Sequence, residues 1–276
     1  MLRNAYKRAL GATVAVAAVM APGAAWAQAC GNTGAGFDAW LGAFKSRAAA
    51  AGVQAGAIAS GLAGVSYDAS VIRLDRGQRS FKLSFEQFYA RRVSGSLIAR
   101  GKSLMSTHAG LLSRIEQRYG VPGAVLISIW GLETNYRQGG GGSMSITRSL
   151  ATLAYDCRRA KFFENELVNA LRIIGRGDMS AASMRGGWAG EIGPMQFLPS
   201  SYVKFAVDFD GDGRRNLMSS VPDMLASTAN YLRGFGWKPG QAWTPGAPNY
   251  GVIQQWNKAE VYARTIAVMS AKLAGK

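Results

Sequence analysis

The segment Val121-Pro122-Gly123-Ala124-Val125-Leu126-Ile127-Ser128-Ile129-Trp130-Gly131-Leu132 is apolar almost throughout, and Glu133 follows it directly. A stretch of this kind belongs inside a fold, so the rest of the chain has to be arranged around it. Pro122 suits the first turn of a helix, and Leu126, Trp130 and Glu133 then fall at i, i+4 and i+7 on one face. Glu133 therefore shares its stripe with apolar side chains. A carboxyl group so placed loses solvation of its charged form, which raises its pKa toward the range a general acid needs near neutrality. A helix-terminal Glu that bends out to water satisfies the same pattern, and the helix alone leaves both readings open.

With 276 residues, 48% of them hydrophobic and 17% charged, the chain has enough apolar material for one large domain or two small ones, and the composition argues against disorder. Lys and Arg number 32 against 16 Asp and Glu, a formal charge of +16. Such an excess suits nucleic acid, a membrane surface or an anionic polymer, but no basic run or nucleic-acid motif is present. Met1 to Ala27 reads as a secretory signal peptide: Arg3, Lys7 and Arg8 open it, Ala9 to Pro22 is largely apolar, and Ala25-Trp26-Ala27 offers a cleavage site. Its removal takes away three positive charges and leaves 16 − 3 = +13. No later stretch reaches the length of a membrane span. Ala27-Gln28-Ala29 lacks the bulky aliphatic residue of a lipid-attachment lead-in, which favours a soluble exported protein over anchoring at Cys30.

Export places the two cysteines, Cys30 and Cys157, in an oxidising compartment, where one disulfide is the simplest expectation and two buried thiols the alternative. The bond would pin the start of the exported chain to a helix carrying Cys157. The sole histidine, His108, stands alone, which disfavours triad and multi-histidine metal chemistry.

Phe37 to Gly64 reads as helices packed through small residues, and Ser84 as the cap of a helix containing Phe85, Phe88 and Tyr89. Leu74 to Ser80 reads as a turn. One helix is expected across Ile98 to Tyr119, stopped by Gly120, and another across Ser149 to Ile174, with Arg158, Arg159 and Lys161 on a solvated face. Gly139 to Gly142 forms a mobile segment beside Glu133. From Gly186 to Tyr202, glycines mix with Trp188, Met195, Gln196 and Phe197. Flat surface together with a bidentate amide is what carbohydrate recognition uses, although a plain turn between helices has the same composition.

Asp208-Phe209-Asp210-Gly211-Asp212-Gly213 matches the first half of an EF-hand loop, with oxygen ligands at positions 1, 3 and 5 and glycine at 6. Position 12 is Ser219 where a bidentate Glu is expected, so a structural calcium site over 208–223 requires Asp223 to close it. Ser220 and Pro222 then start a helix through Asn230 and Tyr231.

Four ordered motifs, "GLETNY", "SLATLAYDCRRAKFFENEL", "GGWAGEIGPMQFLPSSY" and "DFDGDGRRNL" with "PDMLASTANYL", resemble the lytic murein transglycosylase B family, glycoside hydrolase family 103. The resemblance runs from about Phe37 to about Leu273. It implies a mainly α fold (α+β), a helical domain wrapped around a lysozyme-like core with an EF-hand-type loop. Residues 28–276 would form one catalytic region: a helical part at 28–110, the core at 111–240 and a segment returning to the cleft at 241–276, without a separate peptidoglycan-binding module. It further implies a periplasmic enzyme that cleaves peptidoglycan glycan strands between N-acetylmuramic acid and N-acetylglucosamine, with no nucleic-acid partner. Glu133 matches the single catalytic acid/base, Gln196 a glycan-contacting glutamine, and Tyr89, Tyr231, Asn257 and Tyr262 the cleft-lining aromatics and C-terminal asparagine. Gly187 stands where some relatives have a ligand-contacting Ser. Glu191 has no task in a one-acid mechanism and is expected at a helix start or on the surface. A hydrolytic lysozyme-type muramidase and a non-catalytic glycan-binding scaffold are the alternatives.

Overall fold

The computed structural model describes residues 30–77, 83–139 and 141–275. The expected signal peptide, Met1 to Ala27, lies outside them. Helices α1 (Phe37–Ala50), α2 (Ala55–Gly61) and α3 (Ala69–Arg76) precede α4 (Phe85–Arg92), α5 (Gly95–Thr107), α6 (Ala109–Tyr119) and α7 (Gly123–Thr134). Then come α8 (Ile146–Tyr155), α9 (Ala160–Gly175), α10 (Pro199–Phe205), α11 (Val221–Gly234), α12 (Tyr250–Trp256) and α13 (Glu260–Leu273). A short antiparallel pair, β1 (Met144–Ser145) and β2 (Arg185–Gly186), sets Met144 against Gly186 and Ser145 against Arg185.

Helix α7 is the axis. Every residue from Gly123 to Leu132 is buried, because α5, α6, α11 and α13 enclose it. A helix apolar on all sides needs neighbours on all sides. Its C-terminus is held as firmly as its middle. Asn135 and Tyr136 both take positive φ, 54° and 60°, each of which costs on the order of 1 kcal/mol for a non-glycine residue. Three contacts hold the turn: Trp130 Nε1 donates to the Arg137 carbonyl at 3.1 Å, Arg100 donates to the Asn135 carbonyl at 3.3 Å, and Thr134 Oγ1 donates to the Pro194 carbonyl at 2.9 Å. The Tyr136 ring folds back onto Gly131, where a Cβ would come within 2.7 Å of it, so only glycine fits there. The helix end that carries Glu133 is thereby packed in place.

Two expected long helices are each broken. His108, with φ −103° and ψ 18°, separates α5 from α6, which lets α5 run along α7 and α13 while α6 turns to pack on α11. Asp156, with an extended backbone, separates α8 from α9. Cys157 sits in that turn, outside any helix, bonded to Cys30. The basic cluster keeps its solvated face, with Arg158 44% and Arg159 40% exposed, while the tips of both reach a buried acid. Arg158 and Arg159 both donate to Oδ1 of buried Asp75, while Arg76 bridges Asp75 at 3.0 Å and buried Asp156 at 2.7 Å. Asp75 belongs to α3, which continues through Arg76 where a turn was expected from Leu74. The buried carboxylates take these exposed arginines as partners because a buried charge needs them.

Candidate active site

Glu133 keeps an opening onto a cavity of about 370 Å³, shared with Glu191, Gln196, Tyr231, Trp256 and Asn257. The carboxyl is gripped from the C-terminal part of the chain. Trp256, the last residue of α12, donates its Nε1 to Glu133 Oε1 at 2.9 Å. Tyr262 of α13 sets its buried hydroxyl beside the same carboxyl, near enough for each to move the other's titration, without completing a hydrogen bond. From α4, Arg92 donates to the Leu132 carbonyl and lies within electrostatic range of Glu133. Burial pushes the Glu133 pKa up; the Trp256 bond, Tyr262 and Arg92 pull against it, and the like charge of Glu191 adds to the rise. The net direction is upward, as a general acid requires.

The opposite wall is the loop before α10. Ile192 and Phe197 exchange both backbone hydrogen bonds, at 2.7 Å and 3.0 Å, closing a tight hairpin. Gly193 turns it with φ 69°, and a Cβ there would lie 2.1 Å from the Leu217 carbonyl. Gln196 takes φ 54° and donates its Nε2 to the Gly193 carbonyl at 2.8 Å, which leaves its amide on the cavity wall. Tyr231 donates to the Gln255 carbonyl at 2.7 Å and stands edge-on to Phe197 and Trp256, forming an aromatic wall. Beyond Glu133 the cleft continues into a second cavity of about 440 Å³ that Arg91, Arg92 and Arg137 line.

The structure thus gathers Glu133, Gln196, Tyr231, Asn257 and Tyr262. Tyr89 stands apart from them: its ring packs on Phe85 at 5.6 Å with Lys272 Nζ 5.0 Å from its centroid. Its neighbour Phe88 is the residue that meets Tyr262, at 6.0 Å. A one-residue turn of the helix decides which ring faces inward, and short sequence contexts do not resolve it. Trp256, the hydrogen-bond donor to Glu133, carried no local signal of that role. Glu191 is corrected too: it is at neither a helix start nor the surface but in the cavity, accepting the Ala189 N–H at 3.0 Å. Burial pushes its pKa up, against its hydrogen bonds and Arg159.

The acidic loop holds a cluster of three carboxylates above a buried fourth. Asp208, Asp210 and Asp212 bring carboxylate oxygens within 4.8 Å of one another. Three like charges held this close suit a hard cation with oxygen ligands. Asp223 is not in that group. Its Oδ1 accepts the N–H of Phe209 at 2.7 Å and its Oδ2 that of Asn216 at 2.7 Å, so it fastens both ends of the loop from the buried start of α11. Both Asp223 oxygens accept backbone donors of the loop that Asp223 was expected to close.

The transglycosylase SLT domain family matches residues 36–248. The membrane-bound lytic murein transglycosylase B of Escherichia coli (strain K12) is 36% identical over 163 residues, 55% of this chain and 44% of that protein. The match therefore spans under half the length of that relative. SltB3 from Pseudomonas aeruginosa, solved in complex with NAG-NAM-pentapeptide, superposes with a TM-score of 0.81 at 30% identity, covering 87% of this chain and 80% of that one. The Escherichia coli lytic transglycosylase Slt35, solved in complex with calcium, superposes with a TM-score of 0.73 at 24% identity, covering 85% and 92%, a likeness of fold.

Proposed function

The chain belongs to the transglycosylase SLT domain family, and from that membership we propose that it is a peptidoglycan lytic transglycosylase in which Glu133 acts first as acid and then as base. The observation that carries this reading is Glu133 itself, a carboxyl with raised pKa at the end of a wholly buried helix, open to a cleft walled by aromatic rings and amides. Glu133 protonates the departing glycosidic oxygen between N-acetylmuramic acid and N-acetylglucosamine. The substrate's own 2-acetamido group stabilises the sugar cation, which is why one protein carboxyl suffices where ordinary glycosidases need two. The resulting Glu133 carboxylate then accepts the proton of the muramyl 6-hydroxyl as a 1,6-anhydro ring closes. The Trp256 donor steadies that carboxylate, with the Tyr262 hydroxyl beside it. Gln196, Tyr231 and Asn257 hold the glycan, the amides by hydrogen bonding and the ring by apolar contact. Asp208, Asp210 and Asp212 hold a structural calcium ion that braces the loop before α11. The signal peptide, the disulfide and the substrate agree on the periplasm as the working compartment.

A hydrolytic muramidase is the second reading, and the presence of Glu191 in the same cavity favours it as a competitor. Mass spectrometry of digested sacculi separates the two: anhydromuramyl ends are expected, and reducing ends would establish hydrolysis. Glu133→Gln is expected to lower product release by about 100-fold or more, the usual scale for losing a general acid. Undiminished solubilisation by that variant would remove Glu133 as the acid, and no solubilisation by wild type would leave only a glycan-binding scaffold.

A further inference from the structure

Glu191 is the carboxyl that a one-acid mechanism leaves without a task, yet the chain makes room for it in the cleft. A Cβ on Gly187 would lie 2.1 Å from Glu191 Oε2 and 2.9 Å from its carboxyl carbon. The carboxyl fills the volume that a side chain at position 187 would need. A Cβ on Gly186 would lie 1.9 Å from the Glu191 carbonyl, so the backbone approaches as closely on that side. The turn is closed by Gly187 N–H donating to the Glu191 carbonyl at 2.9 Å and by Gly190 N–H donating to the Gly187 carbonyl at 3.2 Å. Within it, the Ala189 N–H holds Oε2. A solvated glutamate requires none of this shaping, whereas a carboxyl presented inward, to a cavity it shares with Glu133, does.

We propose that Glu191 is a positioning residue for the reaction at Glu133: from position 191 it supplies the polar group that position 187 lacks, faces the bound sugar, and sets how far up in pH Glu133 keeps its proton. This rests on the transglycosylase reading above. Two carboxyls in one cavity ionise unwillingly together, so loss of the first proton holds the second more tightly. The groups that face Glu133 are Glu191 from the loop, Trp256 from α12, Tyr262 from α13 and Arg92 from α4. Glu191 itself is opposed by Arg159, whose guanidinium is engaged with Asp75. That positive charge is thus partly spent on Asp75, and Glu191 remains a like charge for Glu133.

The test is a set of variants assayed for muropeptide release from sacculi across pH, with melting temperature as the folding control. Glu191→Gln keeps the shape and the acceptor for Ala189, and is expected to fold normally. Its alkaline limb, where Glu133 loses its acid proton, should move to lower pH by about half a unit or more, as removal of a nearby like charge requires. Gly187→Ser should displace the carboxyl and lower activity by about tenfold, on the scale of a misplaced positioning group. In the Glu191→Ala background the same serine should instead restore activity, because it refills the vacated space with a hydroxyl. An unmoved alkaline limb in Glu191→Gln overturns the proposal, as does a Gly187→Ser loss that simply adds to that of Glu191→Ala. Failure of the underlying reading shows separately, as full activity in Glu133→Gln.

Discussion

Glu133 holds its proton to higher pH in the folded protein than in the unfolded chain, since burial at the end of α7 outweighs Trp256, Tyr262 and Arg92. Below the ordinary Glu value of 4.5 both states are protonated and the site costs nothing extra. As pH rises past that value the unfolded chain releases its proton first, so stability declines until the folded pKa is reached and is level above it. Glu133→Gln removes this loss while keeping an acceptor for Trp256. It is expected to melt above wild type at pH 7, by about 2 to 4 °C for each kcal/mol gained, and level with it at pH 4. Equal melting at both values would mean a solvated carboxyl at position 133. Local pattern already placed Glu133 on an apolar stripe. That it stays there depends on Thr134, Asn135 and Tyr136, whose strained turn is fastened by Trp130 of the same helix and by Pro194 and Arg100 from other parts of the fold.

At the scale of elements, local chemistry was the better guide where a helix begins than where it breaks. Ser84 forms a full capping box with Gln87, Ser220 accepts from Asp223 N–H, and Gly120 ends α6 with φ 72°. The interruptions at His108 and Asp156 carry no proline or glycine and arise because consecutive helices pack on different partners. The acidic loop shows the same division. Its D-x-D-x-D-G spacing identifies the three clustered carboxylates, while the role of Asp223 appears only once the start of α11 is seen beneath the loop. Two outcomes are expected by thermal melting. A chelator should lower the melting temperature of wild type and leave Asp212→Asn almost unaffected; identical wild-type curves with and without chelator would remove the calcium site. Asp223→Ala should be destabilised even in chelator, by about 1 to 3 kcal/mol, because the part-buried N–H groups of Phe209 and Asn216 lose their acceptors.

For the molecule as a whole, the Cys30–Cys157 bond spans a sequence separation of 127 and ties the first described residue to the turn between α8 and α9. Around that turn Asp75, Arg76, Asp156, Arg158 and Arg159 join α3 to the α8–α9 junction. Closing so long a loop is worth roughly 4 to 5 kcal/mol in the chain-entropy account, an upper figure. Reductant should therefore lower the melting temperature of wild type and not that of Cys157→Ser; no change in wild type would show that the bond adds nothing to stability. The amino-acid sequence by itself determined the central apolar helix and its terminal acid, the spacing of the acidic loop, the order of the family motifs and the starts of α4, α7 and α11, because each depends on neighbours within a few residues. Only the tertiary structure decided that Trp256 and Tyr262 grip Glu133, that Phe88 rather than Tyr89 meets Tyr262, that Asp223 anchors the loop and that Glu191 enters the cleft. Those outcomes depend on which distant side chains compete for one buried volume or one buried donor, and that competition exists only when the helices have packed.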